Sequence, residues 1–110
     1  MFEEAELRER IRNLRRLRAE KPWLAASATR ERTRRDFFAE DGRAVIVAAD
    51  HPARGIVGVG SDPIALMDRE DLLIRLARVL AHPGVDGVLA SADILDDLAM
   101  LGLLEGRLAI

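Results

Sequence analysis

The sequence has no cysteine, no tyrosine, only one lysine and no long apolar run. Without cysteine the chain forms no disulfide, offers no thiolate to a metal and has no cysteine nucleophile. No apolar run approaches the roughly 18 residues that a membrane-spanning helix needs, and the amino terminus is acidic and then basic, unlike a secretory signal. We therefore expect a cytoplasmic protein without a membrane partner.

The composition fits one globular domain at most. The chain has 110 residues, of which 49% are apolar and 33% charged, values typical of a folded protein and not of a disordered one. The formal net charge of -2 conceals a basic amino-terminal part and an acidic remainder. In the basic part arginines alternate with glutamates, a pattern typical of a solvated helix surface with local ion pairs. We expect no nucleic-acid partner.

Two helices are predicted in the first part of the chain. Leu7, Ile11, Leu14 and Leu17 recur at helical spacing and form the apolar stripe of an amphipathic helix over 3–20. Pro22 ends or kinks that helix, and a shorter helical segment is predicted from residue 23 toward residue 35. We interpret residues 1–42 as an amino-terminal helical extension.

A buried strand and the polar loop after it are the best site candidate. Residues 44–49 form a continuous apolar run typical of a parallel strand that is covered on both faces. Asp50, His51 and Arg54 follow at once, and Gly55 lies among the turn residues of the same loop. Ligands of parallel α/β proteins bind beyond the carboxyl ends of the strands. The sequence therefore predicts a ligand site in this loop.

The remaining chain alternates helices and strands. Ser61-Asp62-Pro63 predicts a short helix through residue 67, and Asp68 caps a longer one. Residues 85–90 predict a second strand, with Ser91 at its carboxyl end, and residues 93–101 a further helix. A third strand is predicted over 107–110. This order predicts a parallel sheet with right-handed crossovers. Because three such strands leave open edges, we expect the chain to be the front of a larger fold that self-associates as a homo-oligomer.

Two segments resemble a known family. V-I-V-A-A-D-H-P-A-R-G at 45–55 and G-V-D-G-V-L-A at 84–90 are similar to the first two strands of class I, Schiff-base-forming aldolases with a (β/α)8 barrel. The most similar branch contains archaeal-type fructose-bisphosphate and deoxyribose-phosphate aldolases, with bacterial relatives associated with inositol catabolism. The resemblance implies an α/β fold in which residues 43–110 are the first two to three strands of a TIM barrel.

The resemblance also implies roles for the loop residues. Asp50 and His51 would be catalytic, and Arg54, Gly55 and Ser91 would bind a sugar-phosphate-like substrate in carbohydrate or inositol catabolism. No cofactor and no metal are implied. The alternatives are that Asp50 caps the loop, that His51 makes structural hydrogen bonds, and that Arg54 pairs with a neighbouring carboxylate.

The lysine that this chemistry requires is missing. A Schiff-base aldolase needs a lysine of lowered pKa on a late strand, whereas the single lysine, Lys21, precedes Pro22 in a charged helical segment. We therefore expect an amino-terminal fragment of an aldolase-like lyase that is inactive alone. The alternative is a non-enzymatic interaction module that self-associates through its sheet edges.

Two other kinds of site fit the sequence poorly. A metal site needs about three converging ligands, but His51 follows a strand and His82 ends the next helix, on opposite faces of a βα unit. The glycines of G-I-V-G-V-G at 55–60 lack both the dinucleotide-binding order and a P-loop lysine.

Overall fold

The structure, a computed structural model, describes residues 3–36 and 41–110. They form four helices, three strands and one short 3₁₀ turn at Pro52–Arg54. In chain order the helices and strands are α1 (Glu4–Glu20), α2 (Trp23–Glu31), β1 (Ile46–Ala48), α3 (Arg69–Leu80), β2 (Gly87–Leu89), α4 (Ala92–Met100) and β3 (Leu108–Ala109). The predicted α/β class is confirmed. None of the helices in these two ranges has the length and apolar character needed to cross a bilayer.

The three strands are parallel and lie in the order β1-β2-β3. Val47 is opposite Val88, and Val88 is opposite Ala109. The described strands make an open sheet and show no barrel. The division into a helical extension over 1–42 and βα units over 43–110 stays a prediction.

The core lies between the sheet and the helices that connect its strands. Right-handed crossovers that run the same way along a sheet place both connecting helices on one face. Leu80 of α3, Val88 of β2 and Leu98 of α4 are completely buried there. α1 then packs against α3, and α2 against α4. The amino-terminal helices thus reach the sheet through the connecting helices.

The opposite face of the sheet is apolar too. Side chains alternate between the two faces of a strand, so the neighbours of the core residues Val47, Val88 and Ala109 point away from the helices. We call this surface the open sheet face; it consists of Ile46, Ala48, Leu89, Leu108 and Ile110. Ile110 is 45% exposed.

Gly87 allows β2 and β3 to approach each other closely. A Cβ atom at this position would lie 2.7 Å from Cβ and 2.9 Å from the carbonyl oxygen of Leu108. Carbon atoms in optimal contact are about 3.5–4.0 Å apart. The absence of a side chain at Gly87 is therefore a requirement of the β2–β3 pairing.

The helix predicted over 61–67 is wrong. The backbone there forms turns, because Val59 and Asp62 exchange two N–H to carbonyl hydrogen bonds, of 2.8 and 3.0 Å. The amide of Leu66 then donates to the carbonyl of Val57 at 2.8 Å. These bonds fold the segment back on itself, and the bond from the amide of Met67 to the carbonyl of Ile64 at 3.0 Å makes a single turn.

The ion pairs of α1 are also less local than predicted. Arg8 does pair with Glu4 one turn away, but it also reaches Glu70 of α3 at 2.9 Å. Arg12 reaches the same glutamate at 3.2 Å. These two arginines hold the pKa of Glu70 below its ordinary value through their hydrogen bonds. Part of the basic face of α1 therefore contacts α3 and is not only a solvated surface.

Candidate functional site

The first group of site residues follows β1. The ladder extends one residue beyond the strand, since the amide of Ala49 donates to Leu89 at 2.7 Å. The chain then turns tightly, with the amides of Arg54 and Ile56 donating to the carbonyl of His51 at 3.0 and 2.9 Å. Gly55 ends this turn with φ of 78°, a left-handed conformation that glycine adopts without strain.

This turn brings Arg54 back to Asp50. Nε of Arg54 lies 3.3 Å from Oδ2 of Asp50, and the arginine side chain is 57% exposed. The other oxygen, Oδ1, is buried and accepts no hydrogen bond from the described residues. An unsatisfied buried acceptor costs roughly 1–3 kcal/mol. The Asp50 carboxylate therefore has an acceptor that a ligand could satisfy.

His51 and Gly55 contribute mainly backbone geometry to this turn. The His51 carbonyl organises the turn, while its half-buried imidazole makes no hydrogen bond or ion pair within 3–36 and 41–110. A Cβ at Gly55 would meet nothing within 4 Å, so glycine is needed there for its φ and not for space.

Ser91 lies in a second group, after β2. It is the residue before α4 and makes no capping hydrogen bond to the helix backbone. Its hydroxyl instead acts on the nearby carboxylate of Asp93. Hydrogen bonds from Arg69 and then from Ser91 lower the pKa of Asp93 to about 2. The predicted position of Ser91 at a strand end is correct. The serine lies next to the ion pair that Asp93 forms with Arg69.

A cavity of about 290 Å³ joins the ends of β1 and β2. Ala49 and Pro52 line it from the first strand, Ser91 and Asp93 from the second, and Arg69 from the start of α3. Its remaining walls are apolar: Leu66, Met67, Leu72 and Ile94. Asp50, His51 and Arg54 are not among the lining residues. The predicted residues thus form two groups, one in the cavity wall and one in the turn that begins beside it.

An ion-pair cluster that was not predicted from the sequence lies behind this cavity. Asp97 of α4 is buried, and it lies 2.6 Å from both Arg18 of α1 and Arg69 of α3. Arg69 also contacts Asp93 at 2.5 Å. Asp93 and Asp97 are four residues apart on one helix face, a spacing visible in the sequence. Their partners come from distant segments, which spacing alone does not identify.

The described residues contain no group of three or more histidine, aspartate or glutamate side chains arranged to hold a metal ion. His82, at the end of α3, uses Nδ1 to accept a hydrogen bond from the amide of Gly84 at 2.9 Å. This histidine has a structural partner in its own turn.

The chain is similar to one family of known proteins. A model of the family described as Cgl0159-like matches residues 42–110. The crystal structure of Cgl0159 from Corynebacterium glutamicum (Brevibacterium flavum) is similar, with 48% sequence identity and a TM-score of 0.87. The similarity covers 92% of this chain and 34% of that one, so the chain spans about a third of the length of this relative. None of the curated proteins matches.

These findings correct the resemblance drawn from the two sequence segments. The matching family and the similar structure are both Cgl0159, and neither is an aldolase family. The expectations of an aldolase fragment, lyase activity, Schiff-base chemistry, a TIM barrel and a place in carbohydrate or inositol catabolism are therefore wrong. The alternative of a small non-enzymatic module receives no clear support from the comparisons either. Short strand-and-loop motifs are shared by many α/β proteins, which is why they misled the assignment.

Proposed function

The chain belongs to the Cgl0159-like family, and on that premise we propose that its strand ends bind a small hydroxylated anion, such as a sugar phosphate. The observation that carries this proposal is the buried, unpartnered Oδ1 of Asp50 beside the exposed guanidinium of Arg54. The first group accepts a hydrogen bond from a ligand hydroxyl, and the second donates to an anionic oxygen.

The Asp50–Arg54 pair can open to admit such a ligand. An ion pair with a partner as exposed as Arg54 contributes about 1 kcal/mol or less, so its loss is a small penalty. A guanidinium has five N–H donors and binds phosphate oxygens in pairs. When Arg54 turns to the anion it releases Oδ2 of Asp50, and rotation of the carboxylate then brings an oxygen to the ligand hydroxyl.

The remaining predicted residues have supporting roles in this proposal. Asp50 and His51 are the groups able to move a proton at the bound ligand, since both lie at the start of the turn. Gly55 permits the turn, and Ser91 is part of the cavity wall. The short 3₁₀ turn keeps Asp50 and Arg54 close enough for one small ligand to contact both.

A larger assembly is also part of the proposal. We propose that the three strands begin a longer parallel sheet, supported by the relative of about three times the length and by the apolar open sheet face. For the 110-residue chain, we propose that copies associate through that face as a homo-oligomer. We also propose a cytoplasmic location, which a chain without cysteine suits.

The test is a titration of the ¹⁵N-labelled 110-residue protein followed by amide chemical shifts. Ribose 5-phosphate should shift the amides of Asp50, His51 and Gly55 saturably, whereas ribose and inorganic phosphate bind more weakly. Asp50→Asn should weaken ribose 5-phosphate binding roughly 10- to 100-fold, the equivalent of one hydrogen bond to a charged group.

The matched control is Asp36→Asn, which neutralises an exposed carboxylate before β1 and should leave binding unchanged. Arg54→Gln should weaken binding of ribose 5-phosphate and phosphate but leave ribose unaffected. Absence of saturable shifts with any of the three probes, or equal affinities of Asp50→Asn and Asp36→Asn, would contradict the proposal.

A further inference from the structure

The buried carboxylate of Asp97 is shared between two helices that are far apart in the sequence. Asp97 is only 4% exposed. Nη1 of Arg18 donates to Oδ1 at 2.6 Å, and Arg69 donates to Oδ2 through Nη2 at 2.6 Å and Nε at 2.9 Å. Burying a carboxylate is costly unless charge partners lie close by. Arg18 therefore occupies one carboxylate oxygen of Asp97, and Arg69 occupies the other.

Arg69 has a second carboxylate, which belongs to the cavity at the strand ends. Its Nη1 donates to Oδ2 of Asp93 at 2.5 Å, and its Nη2 to the Asp93 carbonyl at 3.1 Å. Arg18 donates to that same carbonyl at 3.0 Å. The first turn of α4, next to Ser91, is thus held by two arginines from α1 and α3.

The Arg69–Asp93 pair separates two cavities. It lines the cavity at the strand ends, and it also lines one of about 280 Å³ between α1 and α4. The second cavity has an apolar floor of Ile11, Leu14 and Leu73. The position of the Arg69 guanidinium therefore determines the shape of the cavity wall that faces the second cavity.

We infer that Arg18 of α1 is a positioning residue for the cavity at the strand ends. By occupying one oxygen of Asp97, Arg18 leaves the Arg69 guanidinium free to bind Asp93 as well. Without Arg18, the buried Asp97 draws the whole guanidinium of Arg69 to itself. Asp93 then loses its main partner, and its carboxylate and the Ser91 hydroxyl turn into the cavity.

This inference rests on the proposed function for its meaning, but it is testable without a ligand. The charged groups around Asp93 are Arg15 and Arg18 from α1, Arg69 from α3, and Asp96 and Asp97 from its own helix. The titration of the Asp93 carboxyl carbon, followed by ¹³C NMR, reports whether Arg69 still binds it. The amide shifts of Ala49 and Ser91 report the shape of the cavity wall.

The experiment compares Arg18→Met with Arg16→Met. Arg16 lies on the same helix, and its guanidinium hydrogen-bonds to Asn13 among residues 3–36 and 41–110, so its loss removes the same charge without touching Asp97. In Arg18→Met the pKa of Asp93 should rise from about 2 toward its ordinary value of 3.8, and the Ala49 and Ser91 amides should shift. In Arg16→Met both readouts should match the wild type.

A second variant keeps the test decisive if Arg18→Met does not fold. Arg18→Lys retains the charge next to Asp97 but cannot reach Asp96, Asp97 and the Asp93 carbonyl together, so a smaller shift in the same direction is expected. Unchanged Asp93 titration and unchanged amides in a folded Arg18 variant would overturn the inference. Failure of ribose 5-phosphate to bind the wild type, with the Asp93 shift present, would overturn the proposed function alone.

Discussion

Replacing Gly87 by alanine should destabilise the protein by about 1–3 kcal/mol, the usual cost of forcing one methyl group into a filled space. The new Cβ would lie 2.7 Å from the Leu108 Cβ and 2.9 Å from the Leu108 carbonyl oxygen, roughly 1 Å short of an ordinary contact. Both obstructing atoms belong to or adjoin the backbone, so no side-chain rotation relieves the clash. The upper part of the range is expected.

The strain should be concentrated in the pairing of β2 with β3. The amides of Leu108 and Ile110 donate to Asp86 and Val88 at 2.8 and 2.9 Å, and both bonds lengthen if the strands move apart. Urea unfolding followed by circular dichroism measures the loss of stability, which corresponds to a melting temperature roughly 10 °C lower for a domain of this size. Hydrogen exchange at these two amides should accelerate more than in α1.

Gly58→Ala is the matched control. The nearest atom to a Cβ at Gly58 is the carbonyl oxygen of Pro63 at 3.4 Å, and the position is exposed, so the change in stability should stay within about 0.5 kcal/mol. Equal stabilities of Gly87→Ala and Gly58→Ala would refute the reasoning that β2 and β3 are packed too closely for a side chain.

Two further predictions concern charge and association. Arg69 and Ser91 lower the pKa of the Asp93 carboxyl to about 2, against an ordinary 3.8. As the pH falls, the unfolded chain therefore binds this proton before the folded chain does. The stability that the interaction contributes above pH 3.8 is lost as the pH falls through about 2. The urea midpoint should drop less between pH 5 and pH 3 in Asp93→Asn than in the wild type, and equal drops would argue against this assignment. Ile110→Lys places a charge on the open sheet face and should reduce the fraction of oligomer measured by light scattering. Ile64→Lys, at an exposed position outside the sheet, should leave that fraction unchanged. A monomeric wild type would refute association through this face.

The regular elements were largely predictable because their signals are local. The leucine and isoleucine spacing of α1 predicts its extent to within one residue, and Asp68 caps α3 as expected, its carboxylate accepting from the amide of Asp71 at 3.1 Å. The strands were located correctly but are shorter than their apolar runs. Apolar composition predicts burial along a run, whereas strand assignment also requires a hydrogen-bonded neighbour.

The site was predictable only in part. Asp50 and Arg54 are close in sequence, so their pairing could be anticipated as one of the open alternatives. Arg69 and Asp97 lie on different helices and meet only in the folded chain, where Arg18 of α1 joins them. Contacts of this kind depend on tertiary structure, and no residue spacing in the sequence encodes them.

The ion pairs of α1 also determine at what stage of synthesis this helix can be stabilised by tertiary contacts. Arg8 bonds to a glutamate 62 residues later, and Arg18 to an aspartate 79 residues later. On a ribosome, α1 therefore leaves the exit tunnel well before any of these partners has been synthesised. Short helices are marginal in water without tertiary contacts. The helix α1 thus gains its tertiary contacts in two stages, with α3 through Arg8 once residue 70 is available and with α4 through Arg18 once residue 97 is available.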